Sequence, residues 1–258
     1  MITTLRDPHL IDTIKLHSLS AYGGFAGFFV CGMLGILSMK KIALTKRNTA
    51  LITGFSIILM ALAAGYSVGN VFGSLVVTDN ENLTTENIIN NISFFKTGII
   101  GWIVIFICDL IVSIGIYLLF QEKNNKLALA TAWLRILYTI ILGIAISRLI
   151  MILISYENLI YNIDLFNDIW SFGLTIFGLH LICLSYLFYN ESVWNKLISL
   201  LLILAGIGYI VTYIGELVLP NFGNYKQTIE IIFMAPMILG EIGFAIWLLI
   251  KGGKNTLY

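Results

Sequence analysis

Long apolar runs alternate with short polar segments along most of the chain. Seven of these runs reach about 20 residues or more, the length an α-helix needs to cross a hydrocarbon layer of about 30 Å. The pattern therefore predicts an all-α fold, a polytopic transmembrane helix bundle with seven spans. The spans are placed at 20–39, 49–77, 94–120, 127–155, 168–189, 196–219 and 228–250.

Composition supports a membrane environment. Of the 258 residues, 59% are hydrophobic and 11% are charged, whereas soluble domains carry about 25% charged residues. One soluble core cannot bury so much apolar surface, so the surplus is expected to face membrane lipids. The formal net charge is +1, and no basic stripe is available for nucleic acid. Lipid is the predicted partner, nucleic acid is excluded, and the oligomeric state is left open.

Charges between the spans predict the orientation. Basic residues follow the first, third, fifth and last spans, whereas acidic residues dominate the opposite loops. Because cytoplasmic loops are enriched in lysine and arginine, we expect the N-terminus outside and the C-terminus inside. The predicted organisation is an interfacial helix with an extra span at 1–48, a six-span bundle at 49–252 and a tail at 253–258. The basic residues are Lys40, Lys41, Lys46, Arg47, Lys123, Lys126, Lys196, Lys251 and Lys254.

Four ionisable side chains interrupt four different spans at similar depth. Counted at about 1.5 Å per residue from the basic ends, Asp109, Arg135, His180 and Glu241 lie ~12–16 Å into the membrane. An isolated Asp or Arg at a helix centre costs about 2.5–3.5 kcal/mol, so these groups are expected to face inward and find partners. We predict that Asp109 pairs with Arg135 and that Glu241 neighbours His180.

The four residues are the candidates for ligand binding or proton handling, since ionisable groups inside a membrane are often functional. The alternative is that this polar layer only fixes how the helices pack. A second pair, Arg148 and Glu216, is predicted within ~10 Å of the outer edge.

Several chemistries are excluded by the residues that are missing. The last span has no lysine for a retinal Schiff base, and a single histidine within the spans excludes bis-histidine haem and a three-histidine zinc site. Cys31, Cys108 and Cys183 are isolated, which does not suggest a disulfide or a zinc ribbon. No cofactor, metal site or catalytic residue is assigned.

Three functions stay open on this evidence. The first is a membrane protein that binds or moves a small solute or protons at the polar layer. The second is a non-catalytic membrane partner or sensor. The third is an intramembrane enzyme acting on a lipid or isoprenoid, with Glu241 and His180 as acid and base; it is disfavoured because only Cys108 and Cys183 offer nucleophiles.

The order and spacing of four strings over about residues 50–252 resemble a bacterial membrane family known as domain of unknown function 4386. The resemblance implies a six-span bundle in a bacterial cell membrane, without an assigned activity, and leaves residues 1–48 unaddressed. Asp109, Arg135, His180 and Glu241 stand at matching positions. The strings are FGLHLICLSYLFY, LISLLLILAGIGYIV, APMILGEIGFAIWLLIKG and ICDLIVSIGIYLLFQEKNNKLALATAWLRILYTIILG.

Overall fold

The structure is a computed structural model that describes residues 45–254, apart from 79, 191, 220 and 221. The side chains of Glu216, Leu217 and Asn224 are also outside the description. The predicted span at 20–39 and the end of the predicted tail therefore lie outside the described residues. So does most of the predicted N-terminal segment 1–48.

The described residues form seven helices and no strand. Six of these helices are long and apolar enough to cross a membrane, which agrees with six of the predicted spans. The helices are α1 (Lys46–Leu75), α2 (Glu81–Asn90), α3 (Ile92–Phe120), α4 (Asn125–Ile154), α5 (Leu159–Phe188), α6 (Val193–Val218) and α7 (Gly223–Ile250).

Side-chain caps fix where several of these helices begin. The Thr45 hydroxyl oxygen accepts the Asn48 backbone N–H at 3.2 Å, at the start of α1. Asn80 and Asn124 cap α2 and α4 in the same way, by accepting N–H groups three residues further on at 3.0 and 3.1 Å. Such caps satisfy backbone donors that a helix N-terminus otherwise leaves unpaired.

One early helix start and one additional helix differ most from the sequence prediction. Helix α5 begins at Leu159, nine residues before the predicted start at 168, because the acidic side chains of Asp164 and Asp168 interrupt the apolar pattern without interrupting the helix. The short helix α2 was not predicted, since its sequence ENLTTENIIN is too polar for a span. Both differences lie at the acidic end of the bundle.

The six long helices form a closed ring. Helix α1 packs against α3, and the order then follows the sequence through α4, α5, α6 and α7, which returns to α1. Close approach between α5 and α6 depends on Gly178 and Gly206. A Cβ on either glycine would lie 2.6 Å from the carbonyl oxygen of the other, so only glycine allows this distance between the two backbones.

Basic side chains join the helix ends at one side of the ring. The Arg47 guanidinium of α1 donates hydrogen bonds to the carbonyl oxygens of Leu248, Leu249 and Gly252, at 3.2, 2.5 and 2.9 Å. These contacts tie α1 to the C-terminal end of α7. The Lys123 ammonium donates to the Leu187 and Tyr189 carbonyls at 2.8 and 2.6 Å, and desolvation lowers its pKa.

Helix α1 changes its winding halfway along. An α-helix over Lys46–Ala64 continues as a π-helix over Gly65–Phe72 and ends in one α-helical turn. The wider π turns place the Ser67 hydroxyl 3.0 Å from the Gly98 carbonyl of α3, to which it donates. Segments of π-helix are rare, and many of them lie at functional sites. This segment starts at Gly65, which lines the cavity described below.

Candidate functional site

A cavity of about 380 Å³ lies inside the helix ring, and all six long helices contribute to its wall. Most of the wall is apolar or aromatic, and three ionisable side chains interrupt it: Asp109, Arg135 and Glu241. The volume lies within the range of about 300–1,000 Å³ that is typical of small-molecule sites. The other lining residues are Ile57, Met60, Ala61, Ala64, Gly65, Trp102, Ile105, Tyr138, Trp170, Leu174, Phe177, Tyr209, Met237, Ile238 and Ile242.

Arg135 of α4 connects the polar side chains of this layer. Its Nη2 lies 2.6 Å from Asp109 Oδ1 on α3, which confirms the predicted ion pair. Its Nη1 lies 3.1 Å from His180 Nε2 on α5, and Nη2 is 3.6 Å from the Met60 sulfur on α1. The guanidinium carbon also lies 5.2 Å from the centre of the Phe177 ring. One cation on α4 therefore contacts residues on three other helices, α1, α3 and α5.

The hydrogen bonds of His180 fix its tautomer. His180 is fully buried, and its Nδ1 lies 2.8 Å from the Thr131 carbonyl oxygen. Because a carbonyl only accepts and a guanidinium only donates, Nδ1 carries the proton and Nε2 accepts from Arg135. Both ring nitrogens of a neutral imidazole are thus occupied. This explains a histidine in an apolar string: it supplies an acceptor to a buried arginine.

Glu241 is not paired with His180, and that part of the sequence prediction is wrong. The Tyr209 hydroxyl of α6 lies 3.4 Å from Glu241 Oε1, a long hydrogen bond donated by the phenol. Glu241 is a partly buried residue that lines the cavity, whereas His180 is fully buried and is not one of the lining residues. Glu241 therefore shares the cavity wall with Asp109 and Arg135 but makes no ion pair among the described residues.

Unpaired polar atoms remain around the cavity. Asp109 Oδ2 and the indole N–H groups of Trp102 and Trp170 are buried and have no hydrogen-bond partner among the described side chains. All three residues belong to the cavity wall. Buried polar atoms are satisfied in most proteins, so unpaired polar atoms on three residues of the wall are unusual.

Among the described residues, Ala61 and Gly65 of α1 and Ile238 of α7 line the cavity and are exposed. Their exposure indicates that the cavity opens between these two helices. The two helices are held together at their basic ends by Arg47 and are still in close contact at Gly54, where a Cβ would lie 3.0 Å from the Ala245 carbonyl oxygen. At Gly65, further along α1, a Cβ would meet no described atom within 4 Å. Pro236 lies just before the opening within α7, where it removes one backbone hydrogen bond and favours a bend.

The predicted outer pair is described only in part. Arg148 of α4 is partly buried, and its Nε has no hydrogen-bond partner among the described atoms. The Glu216 side chain lies outside the description, so the pairing of these two residues stays a prediction. Within the described ranges, no three His, Cys, Asp or Glu residues are grouped closely enough to hold a metal ion.

Sequence reasoning missed the aromatic part of the site. Tyr209 was not proposed as the partner of Glu241, and Trp102, Trp170 and Phe177 were not singled out. The signal was weak, because aromatic residues in an apolar span are ordinary core residues. Only the arrangement of the helices shows that these four side chains face one cavity.

The fold and the site define a class: a bundle of six apolar helices around a cavity with a buried polar layer. Within that class, the chain belongs to the family described as Domain of unknown function (DUF4386), which it matches over residues 52–252. This confirms the resemblance drawn from the four strings. A relative from Archaeoglobus fulgidus, described as an uncharacterized protein, is 28% identical over 157 residues, covering 61% of this chain and 85% of that protein. No solved structure matches the chain.

Proposed function

We propose that this protein is an integral membrane protein that binds a small, mostly apolar molecule in the cavity inside its helix ring. The single observation that carries the proposal is an apolar and aromatic cavity of about 380 Å³ whose wall contains Asp109, Arg135 and Glu241. Largely apolar pockets with a few convergent polar groups are the usual form of small-molecule sites. A purely structural polar layer needs no such empty volume beside it.

The depth of the cavity supports binding within the membrane. Asp109 lies ~16 Å along α3 from the basic end, and α3 itself is about 44 Å long. The opening between α1 and α7 then lies at the level of the hydrocarbon. Basic residues gather at the ends where α1 begins and α7 finishes, and this favours the orientation with those ends in the cytoplasm. Apolar molecules dissolved in the bilayer would enter sideways through the opening.

The lining favours binding over nucleophilic catalysis. It contains no serine, threonine, cysteine or lysine among the described residues. Cys108 is buried outside the cavity wall, and Cys183 is only partly buried. His180 is engaged by Arg135 and Thr131 and so does not form an acid and base pair with Glu241.

Carbene labelling in nanodiscs tests whether an apolar molecule enters. The probe is 3-phenyl-3-(trifluoromethyl)diazirine, which partitions into the bilayer and inserts into nearby side chains on illumination. Mass spectrometry should find it on Trp102 and Phe177, which are 2% and 5% exposed but line the cavity. Phe188 and Phe244 are 2% and 1% exposed and lie outside the cavity wall, so they should remain unlabelled.

Two glycine variants provide a matched comparison. A Cβ at Gly65 or at Gly69 would meet no described atom within 4 Å, so both positions can carry a side chain without a clash at its first carbon. Gly65 lines the cavity and Gly69 does not. We expect Gly65→Leu to reduce labelling of Trp102 and Phe177 severalfold and Gly69→Leu to leave it unchanged. Equal labelling of all buried aromatic residues, or none inside the ring, would contradict the proposal.

A further inference from the structure

The charges of the cavity wall indicate which class of molecule it takes. We propose that the ligand is a monocation with an apolar body, such as a hydrophobic amine or a quaternary ammonium compound, and that Glu241 receives its charge. This inference rests on the proposed function of the cavity as a binding site. Three observations carry it: the balance of charges in the wall, the position of Glu241 and the aromatic rings around it.

The wall contains one cation and two acids among its described residues. Arg135 and Asp109 neutralise each other, with 2.6 Å between Nη2 and Oδ1. Two further donor contacts of Arg135 go to His180 and Met60, and its buried Nε has no hydrogen-bond partner among the described atoms. The charge of Arg135 is compensated by Asp109, and Glu241 is the acid that forms no ion pair among the described residues.

The contacts of Glu241 leave its charge uncompensated. Its described hydrogen bond is the long one from Tyr209, at 3.4 Å between the two oxygens. An ionised carboxylate in an apolar wall is costly unless a positive charge lies close to it. A cationic ligand would remove that cost on binding, whereas an anionic ligand would increase it.

Aromatic rings complete the fit to a cation. Phe177 and Tyr209 meet edge to face, with 5.5 Å between ring centres, and Tyr138 lies against Phe177 at 4.9 Å. Trp102 and Trp170 pack at 4.8 Å on the same wall. Aromatic faces attract cations, and quaternary ammonium groups are recognised in this way. The rest of the wall is mainly aliphatic, with residues such as Ile57 and Ile242, and suits the apolar body of the ligand.

Three probes of nearly equal shape separate charge from size. They share a benzyl group and carry trimethylammonium, tert-butyl or sulfonate, giving benzyltrimethylammonium, neopentylbenzene and phenylmethanesulfonate. Each competes with the carbene probe for Trp102 and Phe177 in nanodiscs of zwitterionic lipid. The three probes partition into the bilayer to different extents. For each probe, protection is therefore compared between protein variants, since its concentration in the bilayer is the same for all of them. We expect protection by the cation, weaker protection by the neutral probe and none by the anion.

Variants of one helix assign the effect to Glu241. Glu241→Gln should weaken protection by benzyltrimethylammonium about tenfold or more, the range of a charge-assisted contact, and change that by neopentylbenzene less than threefold. Glu241→Asp keeps the charge and should keep the cation preference. Glu230→Gln makes the same chemical change on α7, outside the cavity wall, and should behave like the wild type.

The outcomes distinguish this inference from the proposed function. If the cation and the neutral probe protect equally, or if the anion protects best, the cation preference is wrong while the cavity remains a binding site. The same holds if Glu241→Gln leaves the ratio between the probes unchanged. If Trp102 and Phe177 are not labelled at all in the wild type, the proposed function itself fails.

Discussion

Replacing Arg135 by methionine tests the arrangement of the polar layer. Methionine keeps much of the side-chain length and removes the charge, so the change isolates the contacts of the guanidinium. The Asp109 carboxylate, 1% exposed, would lose the cation 2.6 Å away. His180 Nε2 would lose its donor at 3.1 Å while its Nδ1–H remains bound to Thr131.

The structure sets the expected magnitude. Breaking a buried ion pair by removing one partner costs about 3–5 kcal/mol, because the remaining charge stays buried and uncompensated. The unsatisfied nitrogen of His180 adds a cost of about 1–3 kcal/mol. We therefore expect Arg135→Met to lower the free energy of unfolding by at least about 3 kcal/mol. That is a large fraction of a typical stability of about 5–15 kcal/mol.

A double variant separates the charge from the packing. Arg135→Met with Asp109→Leu removes both charges, and replacing a buried pair by apolar residues is often neutral or stabilising. The double variant should therefore be more stable than Arg135→Met alone by about 2 kcal/mol or more. The free energy of unfolding is measured by SDS titration in mixed micelles, followed by tryptophan fluorescence. A cost below about 1 kcal/mol for Arg135→Met, or a double variant less stable than the single one, would refute the reasoning.

Two further changes test the helix contacts with the same SDS titration. Gly178→Ala should cost about 1–3 kcal/mol through overpacking, because its Cβ would lie 2.6 Å from the Gly206 carbonyl oxygen. Gly69→Ala should not destabilise, because its Cβ would meet no described atom within 4 Å. Equal effects of the two substitutions would contradict the close approach of α5 and α6. Arg47→Met should lower the free energy of unfolding by about 1.5–3 kcal/mol, because it removes charge-assisted hydrogen bonds to the end of α7. The control Lys126→Met, at an exposed position, should change it by no more than about 0.5 kcal/mol. An equally small effect of Arg47→Met would show that this contact does not stabilise the pair of helices.

Much of the fold follows from the sequence because apolar length dominates in a membrane. The run at 127–155 is observed as Asn125–Ile154 and the run at 228–250 as Gly223–Ile250. Apolar length does not predict the end of a helix that continues beyond the hydrocarbon with polar residues, as α5 does between Leu159 and residue 168. Length alone also gives no order around the ring, which depends on side-chain packing.

The site was predictable in depth but not in direction. Residue counting placed Asp109, Arg135, His180 and Glu241 in one layer. In the structure, Asp109 and His180 each contact Arg135. It could not tell which face of each helix a residue occupies relative to its neighbours. His180 was therefore assigned to Glu241. Arg135 has five N–H donors, more than one carboxylate can accept, so a further acceptor was needed beside it. In the structure that acceptor is His180.

The cavity itself has no signal in the apolar pattern. It includes Gly65 of α1, beyond the contacts that Arg47 and Gly54 make with α7, where space remains between the helices. Glycine, π-helix and proline each occur in many membrane helices without a cavity. Their combined effect depends on the distances between helices that are not adjacent in the sequence.

A structure of the protein with 4-bromobenzyltrimethylammonium would show whether a monocation occupies the cavity, because the bromine can be located by its anomalous scattering. We expect one bromine site inside the helix ring, against the aromatic wall of Trp102 and Trp170, with the ammonium group directed at Glu241. The bromine site should be lost in Glu241→Gln and kept in Glu230→Gln, which would show that Glu241 holds the ammonium group. Bromine found only on the outer surface of the bundle, with the ring interior filled by protein side chains, would contradict the account.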